Sequence, residues 1–152
     1  MADILVARTN LKAKLPTQAY PNDVGFDLYC TENKAVAPKG ITEIDCGIRM
    51  VLPTGFWGIL VGRSSTSFRR GLLIVTAVID PDYTGPMFIQ VLNTTPNSIL
   101  VKEGERLAQM VLVQSAGLRR VVEISVEDLD NPDAYWNEGN KRRQEGFGSS
   151  GQ

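Results

Sequence analysis

Hydrophobic and polar residues alternate along many short segments of this chain. From Ile44 to Leu52 every second position is apolar, and Pro53 ends the run, which is the pattern of a half-buried β-strand. Similar apolar segments recur to about residue 126, separated by glycine, proline, asparagine and aspartate. Strands are predicted at 4–7, 26–30, 44–52, 56–61, 72–79, 87–92, 98–101, 107–113 and 121–126. Many short strands at close spacing predict an all-β protein, either a sandwich or a barrel.

Helical periodicity is weak throughout. Residues 64–70 are compatible with one short helix, and residues 126–134 with a single turn. The composition becomes polar after Val126, and the chain ends in a glycine- and serine-rich segment.

Composition narrows the function classes. The 152 residues have a mass of 16.7 kDa, which fits one domain that buries roughly 70% of its unfolded surface. Histidine is absent, which excludes serine–histidine and cysteine–histidine nucleophile pairs and every histidine-ligated zinc site. Sixteen basic and seventeen acidic residues give a net charge of -1. A partner with a nucleic-acid backbone (DNA or RNA) or a membrane surface is therefore not expected.

The two cysteines give information about the compartment. Cys30 and Cys46 lie in separate apolar stretches with no CxxC motif. The first residues lack the basic-then-apolar order of a secretory signal, and no apolar run approaches the ~20 residues of a membrane-spanning helix. We therefore expect two buried free thiols and a cytoplasmic-type location, which is the host cytoplasm if the source is a virus or phage.

Residues 62–65 combine glycine, arginine and two serines at the end of an apolar strand. The glycine frees the backbone, Arg63 offers a forked donor to phosphate, and the Ser64 and Ser65 hydroxyls complete a cradle for an oxyanion. The same residue types also form ordinary strand-to-helix caps. Taken alone, the segment fits both a phosphate site and a structural cap.

Residues 78–85 place two carboxylates and a tyrosine in a turn between apolar strands. Aspartate and proline are common turn formers, so a purely structural turn also fits. A general base needs a carboxylate held at a strand end, where it can bind a water molecule. Asp80 directly follows Val78 and Ile79 and suits that role better than Asp82.

Five segments become specific through their order along the chain. They are Val-Gly-Phe-Asp-Leu at 24–28, Gly-Arg-Ser-Ser at 62–65, Val-Ile-Asp-Pro-Asp-Tyr-Thr-Gly at 78–85, Gly-Glu-Arg-Leu-Ala-Gln at 104–109, and Arg142 followed by Gly-Phe-Gly-Ser-Ser-Gly at 146–151. Together they closely resemble the five motifs of the trimeric dUTPase family. The resemblance spans residues 24–151, which is nearly the whole chain.

This resemblance implies an all-β, jelly-roll-like distorted β-barrel that forms a homotrimer with exchange of its C-terminal arm. Residues 1–140 would form the barrel domain, and residues 141–152 a flexible arm that closes over the active site. The implied reaction is hydrolysis of dUTP to dUMP and pyrophosphate, in which water attacks the α-phosphate and Mg²⁺ is bound mainly to the triphosphate. Such a reaction removes dUTP from the nucleotide pool and supplies dUMP for dTTP synthesis.

The resemblance also assigns roles to single residues. Asp80 aligns with the carboxylate that activates water, and Tyr83 with the residue that packs beneath the deoxyribose and rejects ribonucleotides. Asp27 aligns with a carboxylate that supports the metal only indirectly, through its water shell. The other positions that align with substrate-binding residues are Arg63, Ser64, Ser65, Ala77, Val78, Ile79, Phe88, Gln109, Arg142, Phe147, Gly148 and Ser149.

These aligned positions divide by the part of the substrate that they would contact. The main chain at 77–79 and at Phe88 matches the hairpin that reads uracil, and Phe147 matches a ring that stacks over the base. Arg142 matches a phosphate-binding arginine of the arm. The chain departs from the family pattern at Ala77, Pro86 and Arg143.

Two alternative functions belong to other classes. A regulatory or binding protein built on a dUTPase scaffold would need no catalysis, although Asp80, Tyr83 and the arm are intact here. A dCTP deaminase-type enzyme resembles the same fold but carries a glutamate three residues before an asparagine. Counting back from Asn93 gives Gln90, which cannot act as a general base.

The aromatic segment 130–137 could contact a protein partner or pack on a neighbouring subunit.

Overall fold

The computed structural model describes residues 2–117, 121–131 and 133, apart from the side chains of residues 67 and 68. These residues contain ten β-strands and two short helices. The chain divides into two compact units, residues 1–117 and 118–152. The first unit contains β1 (Leu5–Arg8), β2 (Gly25–Tyr29), β3 (Lys34–Val36), β4 (Ile41–Val51), β5 (Phe56–Gly62), α1 (Ser64–Arg70), β6 (Leu72–Ile74), β7 (Ala77–Ile79), β8 (Pro86–Asn93), β9 (Ile99–Val101) and β10 (Arg106–Gln114). The second contains α2 (Val126–Asp130).

The strands form two four-stranded sheets and one two-stranded ribbon. The first sheet has the order β1-β4-β8-β6, the second has the order β2-β10-β5-β7, and β3 pairs with β9. The strand pairs of the described residues are all antiparallel, so one face of each sheet can be buried while the other meets solvent. The prediction of an all-β, jelly-roll-like fold is confirmed.

A shared hydrophobic core lies between the two larger sheets. In β8, Met87, Ile89 and Val91 are buried, whereas the residues between them are exposed or half-buried. The alternation places every second side chain in the core, because successive residues of a strand point to opposite faces. Both sheets contribute to this core through Leu28, Leu60 and Met110 on one side and Ile44, Ile48, Met50, Met87, Ile89 and Val91 on the other.

The apolar run at 72–79 is two strands, so its prediction as one strand was wrong. Its first part, β6, pairs with β8 of the first sheet, and its second part, β7, pairs with β5 of the second sheet. The chain crosses between the sheets at Val75, whose N–H still donates to the Gln90 carbonyl at 2.9 Å. The run reads as one apolar segment because both halves border the same core.

One other strand prediction was wrong, and one strand of the structure was not predicted. Residues 121–125 are not a strand, and α2 begins at Val126. The Ser125 hydroxyl accepts a hydrogen bond from the Asp128 N–H at 3.1 Å, which caps that helix.

The short strand β3 was not predicted, because a pattern of three residues is too brief to distinguish a strand from a loop. The helices predicted at 64–70 and within 126–134 are confirmed.

No helix in the described part of the chain is both long and apolar enough to cross a membrane.

Both cysteines are free and buried, as predicted. Burial disfavours the charged thiolate and raises the pKa of Cys30 from 9.0 to about 12, with a further contribution from the nearby Glu105 carboxylate. Burial also raises the pKa of the Cys46 thiol, with the neighbouring Cys30 as a smaller cause. Neither thiol is therefore nucleophilic at neutral pH in the folded chain.

We expect a thiol reagent such as Ellman's reagent to label neither cysteine in the native protein at pH 8, and to label both after denaturation. Because the folded thiols hold their protons more tightly than the unfolded ones, the free energy of unfolding should decrease as the pH rises above 9.0 towards about 12. Rapid labelling of the native protein would contradict the buried placement of these residues.

Candidate functional site

A polar cavity of about 280 Å³ lies at the junction of β2, β10 and the β5–α1 connection. It collects residues from three motifs that are far apart in sequence. Its lining residues are Ala19, Asp23, Val24, Gly25, Asp27, Arg63, Ser64, Ser65 and Gln109. We call it the anion cavity because arginine, serine and glutamine side chains can all donate to an oxyanion.

Asp27 lies in the wall of the anion cavity between two arginines. Its carboxylate accepts from Arg63 Nε at 2.9 Å through Oδ1 and contacts Arg106 Nη1 at 3.4 Å through Oδ2. Asp27 is only 7% exposed, so its charge needs these partners to offset the cost of leaving water. The pairing fixes the Arg63 guanidinium at the cavity, where its remaining N–H groups can meet a ligand.

The connection between β5 and α1 is anchored by an irregularity in β10. The register between β10 and β2 shifts between Arg106 and Ala108, which leaves the Leu107 carbonyl available to another donor. The buried Thr66 hydroxyl donates to that carbonyl at 3.0 Å. Arg63 Nη1 also donates to the Arg106 carbonyl at 3.2 Å. These bonds tie the start of α1 to β10 and hold Ser64 and Ser65 at the cavity.

Gln109 occupies the centre of this wall. Its Cα lies opposite Asp27 of β2 and Val61 of β5, and its Nε2 donates to the Gly62 carbonyl at 3.2 Å. A Cβ on Gly25 would lie 2.2 Å from Gln109 Oε1 and 3.3 Å from Gln109 Cβ. The absent side chain at Gly25 is therefore what allows Gln109 to lie where it does.

A second cavity, of about 240 Å³, lies between β7 and the first half of β8. Among the residues that the structure describes, β7 pairs only with β5, and β6 pairs with β8 only from Asn93 to Val91. The facing backbone edges of β7 and of Pro86–Ile89 are consequently free to bond a flat polar group placed between them. We call this cavity the edge slot; its lining is Glu43, Val75, Ala77, Val78, Ile79, Tyr83, Pro86, Met87, Phe88 and Gln90.

The two ends of the edge slot differ. At one end, the Tyr83 hydroxyl donates to the Pro86 carbonyl at 2.6 Å, and the Tyr83 N–H donates to the Asp80 carbonyl at 3.0 Å. Asp80 is exposed at this end, directly after β7. At the other end, the Val75 N–H closes the gap by donating to the Gln90 carbonyl. The turn of residues 80–85 thus bounds the slot at one end, and the Val75–Gln90 hydrogen bond bounds it at the other.

Within one chain, the anion cavity and the Asp80 end of the slot lie at opposite ends of β5. Ile79 of β7 pairs with Gly58 of β5, so the next residue, Asp80, lies beside Trp57 near the start of β5. Arg63 directly follows Gly62, the last residue of β5. Six residues of strand at ~3.3 Å each separate those positions by roughly 20 Å. The structure brings together the predicted phosphate residues, and separately the predicted base and sugar residues, but it does not join the two sets.

The described residues contain no cluster of three or more carboxylate or cysteine side chains that could bind a metal ion. Asp27 is also a poor direct ligand, because each of its oxygens already faces an arginine. An ion carried by a phosphate ligand fits the anion cavity better than an ion held by the protein alone. The indirect role of Asp27 towards a metal stays a prediction.

Sequence reasoning missed part of each lining. Asp23 and Ala19 form the rim of the anion cavity through a turn in which Asp23 Oδ2 accepts from the Tyr20 N–H at 2.9 Å. The Tyr-Pro-Asn-Asp sequence at 20–23 was an available turn signal. Nothing in the sequence marked Glu43 or Val75 as slot residues, because they reach it only through strand pairing. The predicted residues Arg142, Phe147, Gly148 and Ser149, and most of segment 130–137, lie outside the described residues.

A protein-family model described as dUTPase matches residues 11–151. The chain belongs to the dUTPase family. It is 35% identical over 157 aligned residues to the deoxyuridine 5′-triphosphate nucleotidohydrolase of Cutibacterium acnes, an alignment that covers 99% of this chain and 94% of that protein. The protein of the same name from Candida albicans is 33% identical over 140 residues, covering 92% and 82% of the two chains.

Solved dUTPase structures share the fold. The dUTPase of Staphylococcus bacteriophage 80alpha superposes with a TM-score of 0.72 at 24% identity, covering 81% of this chain and 98% of that chain. A mutant dUTPase from phage phi11 of S. aureus gives a TM-score of 0.72 at 23% identity, covering 80% and 98%, and coordinates a structural Mg(II) ion. Membership of the dUTPase family favours dUTP chemistry over the deaminase alternative.

The Gly25→Ala variant tests how this dUTPase-family cavity is held. The new Cβ must displace the Gln109 amide, so we expect the affinity for inorganic pyrophosphate, measured by calorimetry, to fall about tenfold. The melting temperature should fall only slightly, since the end of the Gln109 side chain can swing aside. Gly40→Ala is the matched control, because a Cβ there meets nothing within 4 Å. Equal affinities in the two variants would disprove the positioning role of Gly25.

Proposed function

We propose that this chain hydrolyses dUTP to dUMP and pyrophosphate, with Asp80 as the general base that takes a proton from the attacking water. One observation supports this function most strongly. The described fold has a slot between two unpaired backbone edges next to the turn of residues 80–85, and a separate cavity lined by side chains that can donate to an anion. A nucleoside triphosphate needs both kinds of site.

The edge slot is suited to the nucleoside. The free backbone edges of β7 and β8 present fixed donors and acceptors, which can match the edge of a pyrimidine base. Tyr83 is held at the turn end of the slot by its bond to the Pro86 carbonyl, and its ring can pack against the sugar. A ribose carries an additional 2′-hydroxyl, which this packing would exclude. Asp80 would then lie beside the α-phosphate, where water attacks.

The anion cavity is suited to the phosphates. Arg63, Ser64, Ser65 and Gln109 can stabilise the charge that leaves with pyrophosphate, which is the main demand of this reaction. Mg²⁺ bound to the triphosphate would neutralise further charge and orient the phosphates. Asp27 would contact the water shell of the ion while it continues to hold Arg63.

The two half-sites of one chain are too far apart to act on one triphosphate. We therefore propose that the slot of one subunit and the anion cavity of another form each active site in a homotrimer. By the family pattern, the arm of residues 141–152 would complete the site. Arg142 would then pair with phosphate, Phe147 would cover the base, and Gly148 and Ser149 would lie close to the nucleotide.

The Asp80→Asn variant tests the general base. It keeps the size of the side chain but cannot accept the proton, so turnover should fall 10²–10⁴-fold while dUTP binding persists. Pyrophosphate release gives the rate, and titration with a non-hydrolysable dUTP analogue gives the affinity. Asp82→Asn is the matched control, since Asp82 is an exposed carboxylate in the same turn. Near-normal turnover in folded Asp80→Asn protein would disprove the assignment.

Complementation tests the shared site. Asp80→Asn and Arg63→Ala copies should each be nearly inactive, because each lacks one half of the site. If they are unfolded together and reassembled at equal amounts, roughly a quarter of all sites should have two intact halves. Activity should therefore return in the mixture, whereas each variant reassembled alone stays inactive. If the mixture stays inactive although it assembles, each chain must form its site alone.

A further inference from the structure

The turn between β7 and β8, residues 80–85, carries both Asp80 and Tyr83. Two hydrogen bonds shape it from within. The Tyr83 N–H donates to the Asp80 carbonyl at 3.0 Å, and the Tyr83 hydroxyl donates to the Pro86 carbonyl at 2.6 Å. Both bonds join residues 80–86 to one another, so they give the turn its shape but do not fix its position relative to the two sheets.

Arg49 of β4 supplies a bond from outside the turn. Its Nε donates to the Thr84 carbonyl at 2.7 Å. In the part of the chain that the structure describes, this is the hydrogen bond that ties residues 81–85 to a segment beyond residues 80–86. The turn is therefore anchored to the first sheet through an arginine side chain.

The backbone pairing next to the turn is interrupted, for two reasons. The register between β4 and β8 shifts between Asp45 and Arg49, so the pair of Arg49 and Pro86 lies beyond an irregularity in the ladder. Pro86 also has no backbone N–H and cannot donate to β4. The bond from the Arg49 side chain compensates for this interrupted ladder.

This anchor bears on the proposed chemistry because Thr84 directly follows Tyr83. A shift of Thr84 would move the Tyr83 backbone, whose N–H bonds the Asp80 carbonyl. Catalysis depends steeply on the placement of the reacting groups, and a displacement of about 1 Å can reduce a rate by roughly 10²-fold. The contact at Thr84 is therefore placed to control where Asp80 and Tyr83 lie.

We propose that Arg49 is a positioning residue for this turn. It acts through the Thr84 carbonyl to hold Asp80 beside the attacking water and Tyr83 beneath the sugar. The inference rests on the proposed function, which gives Asp80 and Tyr83 those roles. Arg49 lies outside the five sequence motifs, and strand pairing is what brings it to the turn.

Two substitutions of similar length separate the hydrogen bond from the charge and the bulk of Arg49. In Arg49→Gln the amide Nε2 can occupy the place of the arginine Nε, which keeps a donor and removes the charge. In Arg49→Met a methyl group occupies that place and no donor remains. A loss of kcat in Arg49→Met that is absent in Arg49→Gln would therefore report on the bond to Thr84.

Steady-state pyrophosphate release from dUTP and from UTP gives the rates. In Arg49→Met we expect kcat for dUTP to fall about tenfold and KM to change less than about threefold, since the edges of the slot are unaltered. The preference for dUTP over UTP should narrow, because Tyr83 is less firmly placed. Arg49→Gln should stay within about threefold of the unchanged protein in each of these quantities. The melting temperature of both variants should fall by less than about 4 °C, since the bond is exposed.

Arg8→Met is the matched control, since Arg8 is an exposed arginine of the adjacent strand β1. It should leave kcat, KM and the preference unchanged. Near-normal kcat in Arg49→Met would overturn the inference. A kcat in Arg49→Gln as low as in Arg49→Met would also overturn it, because the charge or the bulk would then be responsible. In both cases the unchanged protein still hydrolyses dUTP; if it does not, the proposed function fails, and this inference with it.

Discussion

The ion pairs of Asp27 are the interaction on which the anion cavity depends. A carboxylate with so little exposure would be costly without a positive partner, and Arg63 and Arg106 supply one on each side. The same contacts hold Arg63 at the cavity and join β2 to the β5–α1 connection. Loss of either arginine would leave part of a buried charge uncompensated, so stability and ligand binding are coupled at this point.

The crossing of the chain at Val75 has an equally direct effect on the second cavity. Because β6 leaves β8 there and β7 joins β5, the backbone edges of β7 and early β8 face each other without pairing. Unpaired backbone edges normally invite association with another chain. Here a cavity of about 240 Å³ lies between them, and Glu43 belongs to its lining from the neighbouring strand. One break in an apolar run thus produces the edge slot.

The distribution of the two cavities links the fold to assembly. A single strand, β5, separates them, and strands are too rigid to bring their ends together. In the function proposed above, another copy of the chain would complete each half of the nucleotide site. Closed symmetric assembly is the usual way in which identical chains meet such a need. The proposed catalytic chemistry would then be a property of the assembly.

The sequence alone determined the all-β class, the short helix at 64–70, the buried thiols and part of the lining of the anion cavity, namely Asp27, Arg63, Ser64, Ser65 and Gln109. These follow from local alternation, from turn residues and from five ordered motifs, all of which are properties of neighbouring positions. Only the tertiary structure decided that residues 72–79 divide between two sheets, that 121–125 is not a strand, and that Glu43 lines the slot. Strand pairing and core sharing join residues that are distant along the chain, and periodicity carries no information about which strands will pair. The separation of Asp80 from Arg63 was likewise decided by the register of β7 against β5, because a one-dimensional pattern does not fix that register.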